Sequence, residues 1–115
     1  NLLVAHGLGV KALRGVTPAL QVGIVLNLWP AEPATDTPED LAAAEYAWQM
    51  NGTLFLDTIF RAHYPPALIQ AMGSDAPDMQ PGDLALAAQK LDFLGINYYA
   101  RAMVNAQGQR EGRWL

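Results

Sequence analysis

Two apolar runs of the same design constrain the fold of this chain more than any other feature. Residues 21–29 and 92–99 are rich in Val, Ile, Leu and Phe; each carries one Gly, and each places an Asn near its end, at Asn27 and Asn97. Apolar runs without polar alternation are typical of strands buried on both faces of a parallel sheet. Because the residues between them are mostly helical in pattern, we predict an α/β fold with a parallel strand pair joined by a right-handed crossover.

Helical patterns flank and separate these strands. Residues 1–14 place apolar side chains three and four positions apart and end at Gly15, which predicts a helix packed on the sheet. Thr37 followed by Pro38, with Asp40 three residues after Thr37, is a strong helix start, because Thr caps the first turn and Pro fits its first position. We therefore expect a long helix from this point.

The Asn-Gly pair at residues 51–52 predicts a bend in that helix, and the prolines at 65–66 predict its end. The other predicted elements are a strand over residues 21–28, a loop over 30–36, a helix over 66–72, a surface loop over 74–82 and a short helix over 84–88 capped by Asp83.

Composition excludes several classes of protein. The chain has 115 residues, of which 51% are hydrophobic and 16% charged, as in an ordinary globular domain. Its net charge of −4 includes no basic run, which argues against nucleic acid or an anionic membrane as the main partner. There is no cysteine for a disulfide or a thiolate metal site, and we expect a cytoplasmic location. No apolar run approaches the roughly 18 residues that span a bilayer.

Two parallel strands without neighbours predict an incomplete unit. Both outer edges of such a pair are unpaired, and at least one apolar face is uncovered. No linker divides the chain into two domains, so we expect residues 1–115 to be a fragment of a single larger domain.

Other polar and aromatic groups are interpreted as structural. The sequence from Gly7 partly matches a dinucleotide-binding fingerprint, but it follows a predicted helix and lacks an acidic residue about 20 positions on. We interpret His6 and His63 as helix-packing histidines. The acids Glu39, Asp40 and Glu45 are interpreted as a solvated cluster at a helix N-terminus. The aromatic residues Trp48, Phe55 and Phe60 are interpreted as helix core.

Four residues share a predicted position at the carboxyl ends of the two strands: Asn27, Trp29, Asn97 and Tyr99. Ligands of α/β folds bind at these ends, and amide groups beside aromatic rings suit a sugar. Structural alternatives stay open, since Asn27 could satisfy its own loop and Tyr99 could lie at the edge of a core.

Several segments carry a family resemblance: residues 1–8 (NLLVAHGL), 21–27 (QVGIVLN) with the following Pro30 and residues 33–36, 55–65 from Phe-Leu-Asp to Tyr-Pro, and 92–99 (DFLGINYY). Together they resemble family 1 of the glycoside hydrolases, the β-glucosidase family. The resemblance implies a partial (β/α)₈ TIM barrel, from about helix 4 to strand 6. It also implies a retaining mechanism, in which one Glu protonates the leaving oxygen and a second Glu, about 5 Å away, attacks the sugar.

Neither catalytic motif of the family, Asn-Glu-Pro or Thr/Ser-Glu-Asn-Gly, occurs in this sequence, so we expect no catalytic residue, no cofactor and no activity of the chain alone. By resemblance, Tyr99 supports the nucleophile with a hydrogen bond, Asn97 belongs to the same polar network, and Asn27 and Trp29 bind substrate on the aglycone side. The implied partners are a β-glucoside or related oligosaccharide and the remainder of the barrel. A noncatalytic carbohydrate-binding or interaction remnant of the barrel is the alternative.

Overall fold

The computed structural model of the chain describes residues 2–108 and 110–114, with side chains over residues 2–108. In chain order its elements are α1 (Leu2–Val16), β1 (Gly23–Asn27), β2 (Ala31–Pro33), α2 (Pro38–Trp48), a π-helical turn (Gln49–Thr53), α3 (Leu54–Arg61), α4 (Pro66–Met72), a 3₁₀ turn (Gly73–Asp75), α5 (Asp83–Ala87), β3 (Phe93–Asn97), β4 (Ala100–Val104) and β5 (Arg110–Trp114). None of the helices in the described ranges is long and apolar enough to cross a membrane.

The parallel pairing of the two predicted strands is confirmed. β1 and β3 pair in parallel with Asn27 opposite Asn97, so both strands end at the same edge. Glycines make the close pairing possible, because a Cβ on Gly23 would lie 2.4 Å from the Phe93 ring and one on Gly95 would lie 2.9 Å from Val25. Each strand thus leaves room for a bulky side chain of the other.

The prediction that both faces of these strands are buried is wrong within this chain. Ile24 and Leu26 of β1 pack against the core that Leu3, Ile59 and Ala87 form. Side chains alternate along a strand, so Val25 of β1 points to the opposite face, and the register places Phe93 of β3 on that face as well. That face, here called the open face, is covered by no helix of the described chain and leaves Val25 58% and Phe93 53% exposed.

A second sheet was missed by the sequence prediction. β2 pairs in parallel with β4, and β4 pairs antiparallel with β5. The loop predicted over residues 30–36 is therefore wrong at Ala31–Pro33, which is a strand. A three-residue strand with Pro at its end has too little local pattern to be predicted, and it forms because β4, from a distant part of the chain, supplies its hydrogen-bond partners.

The predicted start of α2 is confirmed, since the Thr37 hydroxyl accepts a hydrogen bond from the Asp40 backbone N–H at 3.3 Å and Pro38 opens the first turn. The predicted interruption at residues 51–52 is also confirmed, as a π-helical turn. By contrast, Asp83 is not the cap of α5: the helix begins at Asp83 and its N-cap is Gly82. The Asp83 carboxylate accepts from the Gln80 backbone N–H at 3.0 Å instead, which closes the preceding loop.

Helix α1 approaches α5 through a glycine. Gly7 is buried, and a Cβ at this position would lie 1.8 Å from the Leu86 carbonyl oxygen. The glycine thus allows two helix backbones to touch. A dinucleotide-binding loop requires a strand before its first glycine, whereas Gly7 lies within the helix of residues 2–16. Helix packing accounts for this glycine instead.

The interpretation of the three aromatic residues as helix core is only partly correct. Phe55 packs against the core, and Trp48 is half-buried with its ring against Gly52. Phe60 is 50% exposed, so it does not belong to the core of the described chain. Periodicity alone did not distinguish Phe60, because its spacing fits the helix although the core cluster of the described chain does not include it.

Candidate functional site

The site is built around two amides at the carboxyl ends of β1 and β3. The side-chain nitrogen of Asn97 donates a hydrogen bond to the side-chain oxygen of Asn27 at 2.7 Å. Each Asn is the last residue of its strand, so the parallel register alone brings the two side chains together. In the described part of the chain, the amide nitrogen of Asn27 and the amide oxygen of Asn97 make no hydrogen bond. The pair therefore offers a donor and an acceptor to a ligand.

The two aromatic residues of the predicted site lie on the segments that leave these strands. Trp29 is two residues past Asn27 and is 37% exposed. Tyr99, with Tyr98 before it, links β3 to β4, and its side chain is 56% exposed. The structure thus brings Asn27 and Asn97 into contact and places Trp29 and Tyr99 on the chain directly beyond them. Their roles toward a substrate stay predictions.

The segment that follows β1 is held at three successive positions. The Leu28 backbone N–H donates to the Asn97 carbonyl at 3.0 Å, and the Ala102 N–H donates to the Pro30 carbonyl at 2.9 Å. Between them, the Trp29 carbonyl accepts from the side-chain amide of Asn51 at 3.2 Å. The Asn-Gly pair at residues 51–52 predicted only a bend, because nothing local indicates which distant group an amide in a bend will reach.

A buried carboxylate secures the second sheet beside this segment. Asp40 accepts from the Thr35 hydroxyl at 2.7 Å and from the Ala106 backbone N–H at 2.8 Å. The Thr35 hydroxyl, followed by the Ala106 N–H, holds the pKa of Asp40 below its ordinary value. The interpretation of Asp40 as part of a solvated acidic cluster is therefore wrong, since its side chain ties α2 to the turn after β4.

Two glutamates of the chain, Glu32 and Glu45, have partners within it. Glu32 of β2 forms an ion pair with Arg101 of β4 at 2.8 Å. Glu45 accepts a hydrogen bond from Gln49 at 2.7 Å, one helical turn away. These contacts join neighbouring elements of the chain and account for both carboxylates structurally.

The histidines show no catalytic arrangement. His6 is partly buried on α1; its Nε2 has no hydrogen-bond partner in the described residues, and burial lowers the pKa of the imidazole. His63 follows α3 and lies 3.8 Å from Asp57, with an exposed side chain. His6 agrees with the helix-packing interpretation, whereas His63 lies beyond its helix. Over residues 2–108, where side chains are described, no three His, Cys, Asp or Glu side chains cluster as metal ligands.

Comparison with known protein sequences points to one family. The family model described as glycosyl hydrolase family 1 matches residues 1–114. A β-glucosidase of an Agrobacterium species is 45% identical over 99 residues, which are 86% of this chain and 22% of the relative. A 1,4-β-D-glucan glucohydrolase of Thermotoga neapolitana is 37% identical over 105 residues, which are 90% of this chain and 25% of the relative.

Solved structures agree with this result. The virulence factor SghA from Agrobacterium tumefaciens is 38% identical with a TM-score of 0.81, and the match covers 98% of this chain and 26% of SghA. A Thermotoga maritima β-glucosidase in complex with glucoimidazole is 33% identical with a TM-score of 0.83, over 99% of this chain and 27% of the enzyme. These neighbours are TIM-barrel enzymes, and the chain spans about a quarter of their length.

Proposed function

Because the chain belongs to glycosyl hydrolase family 1, we propose that it forms part of a (β/α)₈ barrel that hydrolyses β-glucosides with retention of configuration. Its residues would supply the barrel from about helix 4 to strand 6. The observation that carries the proposal is the hydrogen-bonded pair of Asn27 and Asn97, which stands at the carboxyl ends of two parallel strands, where barrel enzymes bind their substrates.

The four site residues have distinct proposed roles. The Asn27 amide nitrogen donates to a sugar hydroxyl on the aglycone side, and Trp29 offers an aromatic surface there. Tyr99 donates its phenolic hydrogen bond to the nucleophilic carboxylate, which favours the ionised form that attacks the anomeric carbon. Asn97 belongs to the polar network beside that carboxylate, and its 2.7 Å hydrogen bond to Asn27 links the two parts of the site. The acid/base and nucleophile glutamates, about 5 Å apart, come from other strands of the barrel.

The open face of β1 and β3 is the proposed contact with the rest of the barrel. Val25 and Phe93 lie on this face and are more than half exposed. Complete burial of such a side chain stabilises a protein by up to about 1.5–3 kcal/mol, so inward-facing side chains of the other barrel strands would gain stability by packing on this face. We expect the chain alone to be inactive, since it carries neither catalytic motif of the family. We also propose a cytoplasmic location, with which a chain free of cysteine is compatible.

A chimera tests this proposal. Residues 1–115 of this chain replace the corresponding segment of the Agrobacterium β-glucosidase, with which 99 residues of the chain align at 45% identity. We expect the folded chimera to hydrolyse p-nitrophenyl β-glucoside, and the chain alone to release no p-nitrophenol. A chimera with native-like circular dichroism that binds glucoside without turnover would support the noncatalytic remnant instead.

Within the chimera, Tyr99→Phe tests the role of the phenol. Loss of a hydrogen bond to a charged group corresponds to a fall in kcat of about 10- to 100-fold, with a smaller change in KM. Tyr98→Phe is the matched control, because Tyr98 is the adjacent exposed tyrosine and has no proposed contact with the nucleophile. Equal kcat values for the two variants would reject the role of Tyr99.

A further inference from the structure

We propose that Asn51 is a positioning residue that sets the direction of Trp29 and thereby the preference of the site for aromatic aglycones. The inference rests on the proposed function and adds a residue outside the strand ends to it. Its basis is the hydrogen bond of 3.2 Å that the Asn51 side-chain amide donates to the Trp29 carbonyl, across 22 positions of sequence.

This hydrogen bond holds the Trp29 carbonyl, which lies between a residue bonded to the first sheet and a residue bonded to the second. Leu28 is tied to the first sheet through the Asn97 carbonyl, and Pro30 is tied to the second sheet through the Ala102 N–H. The Trp29 carbonyl lies between these two ladder bonds, at the point where the chain crosses from one sheet to the other. An anchored carbonyl fixes the rotation of the peptide that joins Trp29 to Pro30, and with it the direction in which the indole leaves the backbone.

The anchor itself is built into a packed turn. Asn51 lies in the π-helical turn Gln49–Thr53, and turns of this type are frequent at functional sites. The next residue, Gly52, is buried against the Trp48 ring, and a Cβ at Gly52 would lie 2.5 Å from ring carbons. The turn therefore packs closely on α2, and its geometry presents the Asn51 amide to the strand exit.

The predicted consequence concerns substrate binding more than chemistry. Asn51 touches the backbone of Trp29 and has no proposed contact with the sugar or the glutamates. Without the amide, the peptide after Trp29 rotates more freely, and the indole spends less time in the orientation that an aromatic aglycone needs. A substrate with a methyl aglycone presents no ring to Trp29, so its hydrolysis provides the internal reference.

The kinetic test compares Asn51→Ala with two matched variants in the chimera. We expect Asn51→Ala to lower kcat/KM for p-nitrophenyl β-glucoside relative to methyl β-glucoside by about three- to tenfold, mainly through KM. Asn51→Asp keeps the size but has no N–H to donate, so we expect the same loss. Gln49→Ala removes a side-chain amide from the same turn that bonds to Glu45 rather than Trp29, and we expect an unchanged ratio.

A structural readout on the folded chimera tests the positioning role without turnover. In ¹H–¹⁵N spectra, Asn51→Ala should shift the Trp29 indole and the Ala31 backbone resonances, whereas Gln49→Ala should leave them in place. Unchanged Trp29 and Ala31 resonances in Asn51→Ala, or equal shifts in Gln49→Ala, would overturn the positioning role.

The two proposals fail in different ways. An active chimera whose substrate ratio is the same with and without Asn51 rejects the inference and leaves the proposed function intact. A folded chimera without turnover rejects the proposed function and with it the aglycone preference, while the spectra still decide whether Asn51 orients Trp29.

Discussion

The two ends of the β1–β3 pair are built in contrasting ways. At the amino end, the Asp92 carboxylate accepts from the Arg14 guanidinium at 2.6 Å and from the Val22 backbone N–H at 2.8 Å, and Arg14 also donates to the Lys90 carbonyl at 2.5 Å. These groups form what is here called the Asp92 clamp. At the carboxyl end, two neutral amides share one hydrogen bond of 2.7 Å.

The contrast separates stability from binding within the same two strands. The Asp92 clamp uses charged groups to join the last turn of α1 to the starts of both strands, and charge-assisted hydrogen bonds are the stronger kind. The amide pair keeps one donor group and one acceptor group unused in the described chain. The same arrangement is found in (β/α)₈ barrels, where the active site lies at the carboxyl ends of the strands and residues at the amino ends contribute to stability.

The largest expected effect on stability comes from displacing α1, the helix whose Arg14 belongs to the Asp92 clamp. Gly7→Ala places a methyl group where the Leu86 carbonyl oxygen lies, which separates α1 from α5 and should lower the free energy of unfolding of the chimera by about 3 kcal/mol. Gly9→Ala is the matched control in the same helix. Apart from its chain neighbours and the backbone of its own helix, no described residue lies within 4 Å of a Cβ at Gly9, so a gain of about 0.5–1 kcal/mol is expected.

Urea denaturation of both glycine variants, with comparison of midpoints at constant slope, measures this difference. If Gly7→Ala were as stable as Gly9→Ala, the close approach of α1 and α5 would not exist in solution, and the position of Arg14 at the clamp would lose its structural basis.

The acid dependence of stability tests the Asp92 clamp directly. The Val22 N–H, followed by Arg14, holds the pKa of Asp92 below its ordinary value of 3.8. The unfolded chain therefore binds this proton more tightly, so the contribution of Asp92 is complete above the ordinary pKa and is lost as the pH falls through the lowered one. Asp92→Asn should lower stability at neutral pH and flatten the acid decline.

Urea midpoints of the chimera between about pH 3 and pH 6 give the measurement. Asp36→Asn serves as the control, because Asp36 is an exposed residue of the loop before α2. A decline below pH 4 that is equally steep with and without Asp92 would show that the clamp does not contribute.

The smallest expected effect on stability belongs to the carboxyl end. Asn97→Ala removes one neutral hydrogen bond to the exposed Asn27, so the free energy of unfolding should fall by only about 0.5–1 kcal/mol. The value of kcat/KM for the chimera should fall more strongly, because the amide pair loses its alignment. If stability dropped by more than activity, the carboxyl end would be a second structural clamp and the contrast between the two ends would disappear.

Local signals in the sequence predicted much of this architecture. The positions of β1 and β3, the Thr37 cap and the interruption near Asn51 all follow from residues within a few positions of one another, and the helical sequence between the strands indicated their parallel pairing. The second sheet was not predictable in this way. β4 contains Arg101 within an otherwise apolar run, and its pairing with β2 depends on residues from the other half of the chain.

The sequence by itself determined that two apolar strands each end in an asparagine with an aromatic residue two positions on, because strand propensity is a local property, and the helical sequence between them indicated that they run in the same direction. Only the tertiary structure decided that these asparagines meet, that Asp40 is buried beneath Thr35, and that Asn51 reaches the Trp29 carbonyl. Each of these contacts depends on strand register or on the packing of helices, which arise when the chain as a whole minimises its exposed apolar surface and pairs its buried polar groups.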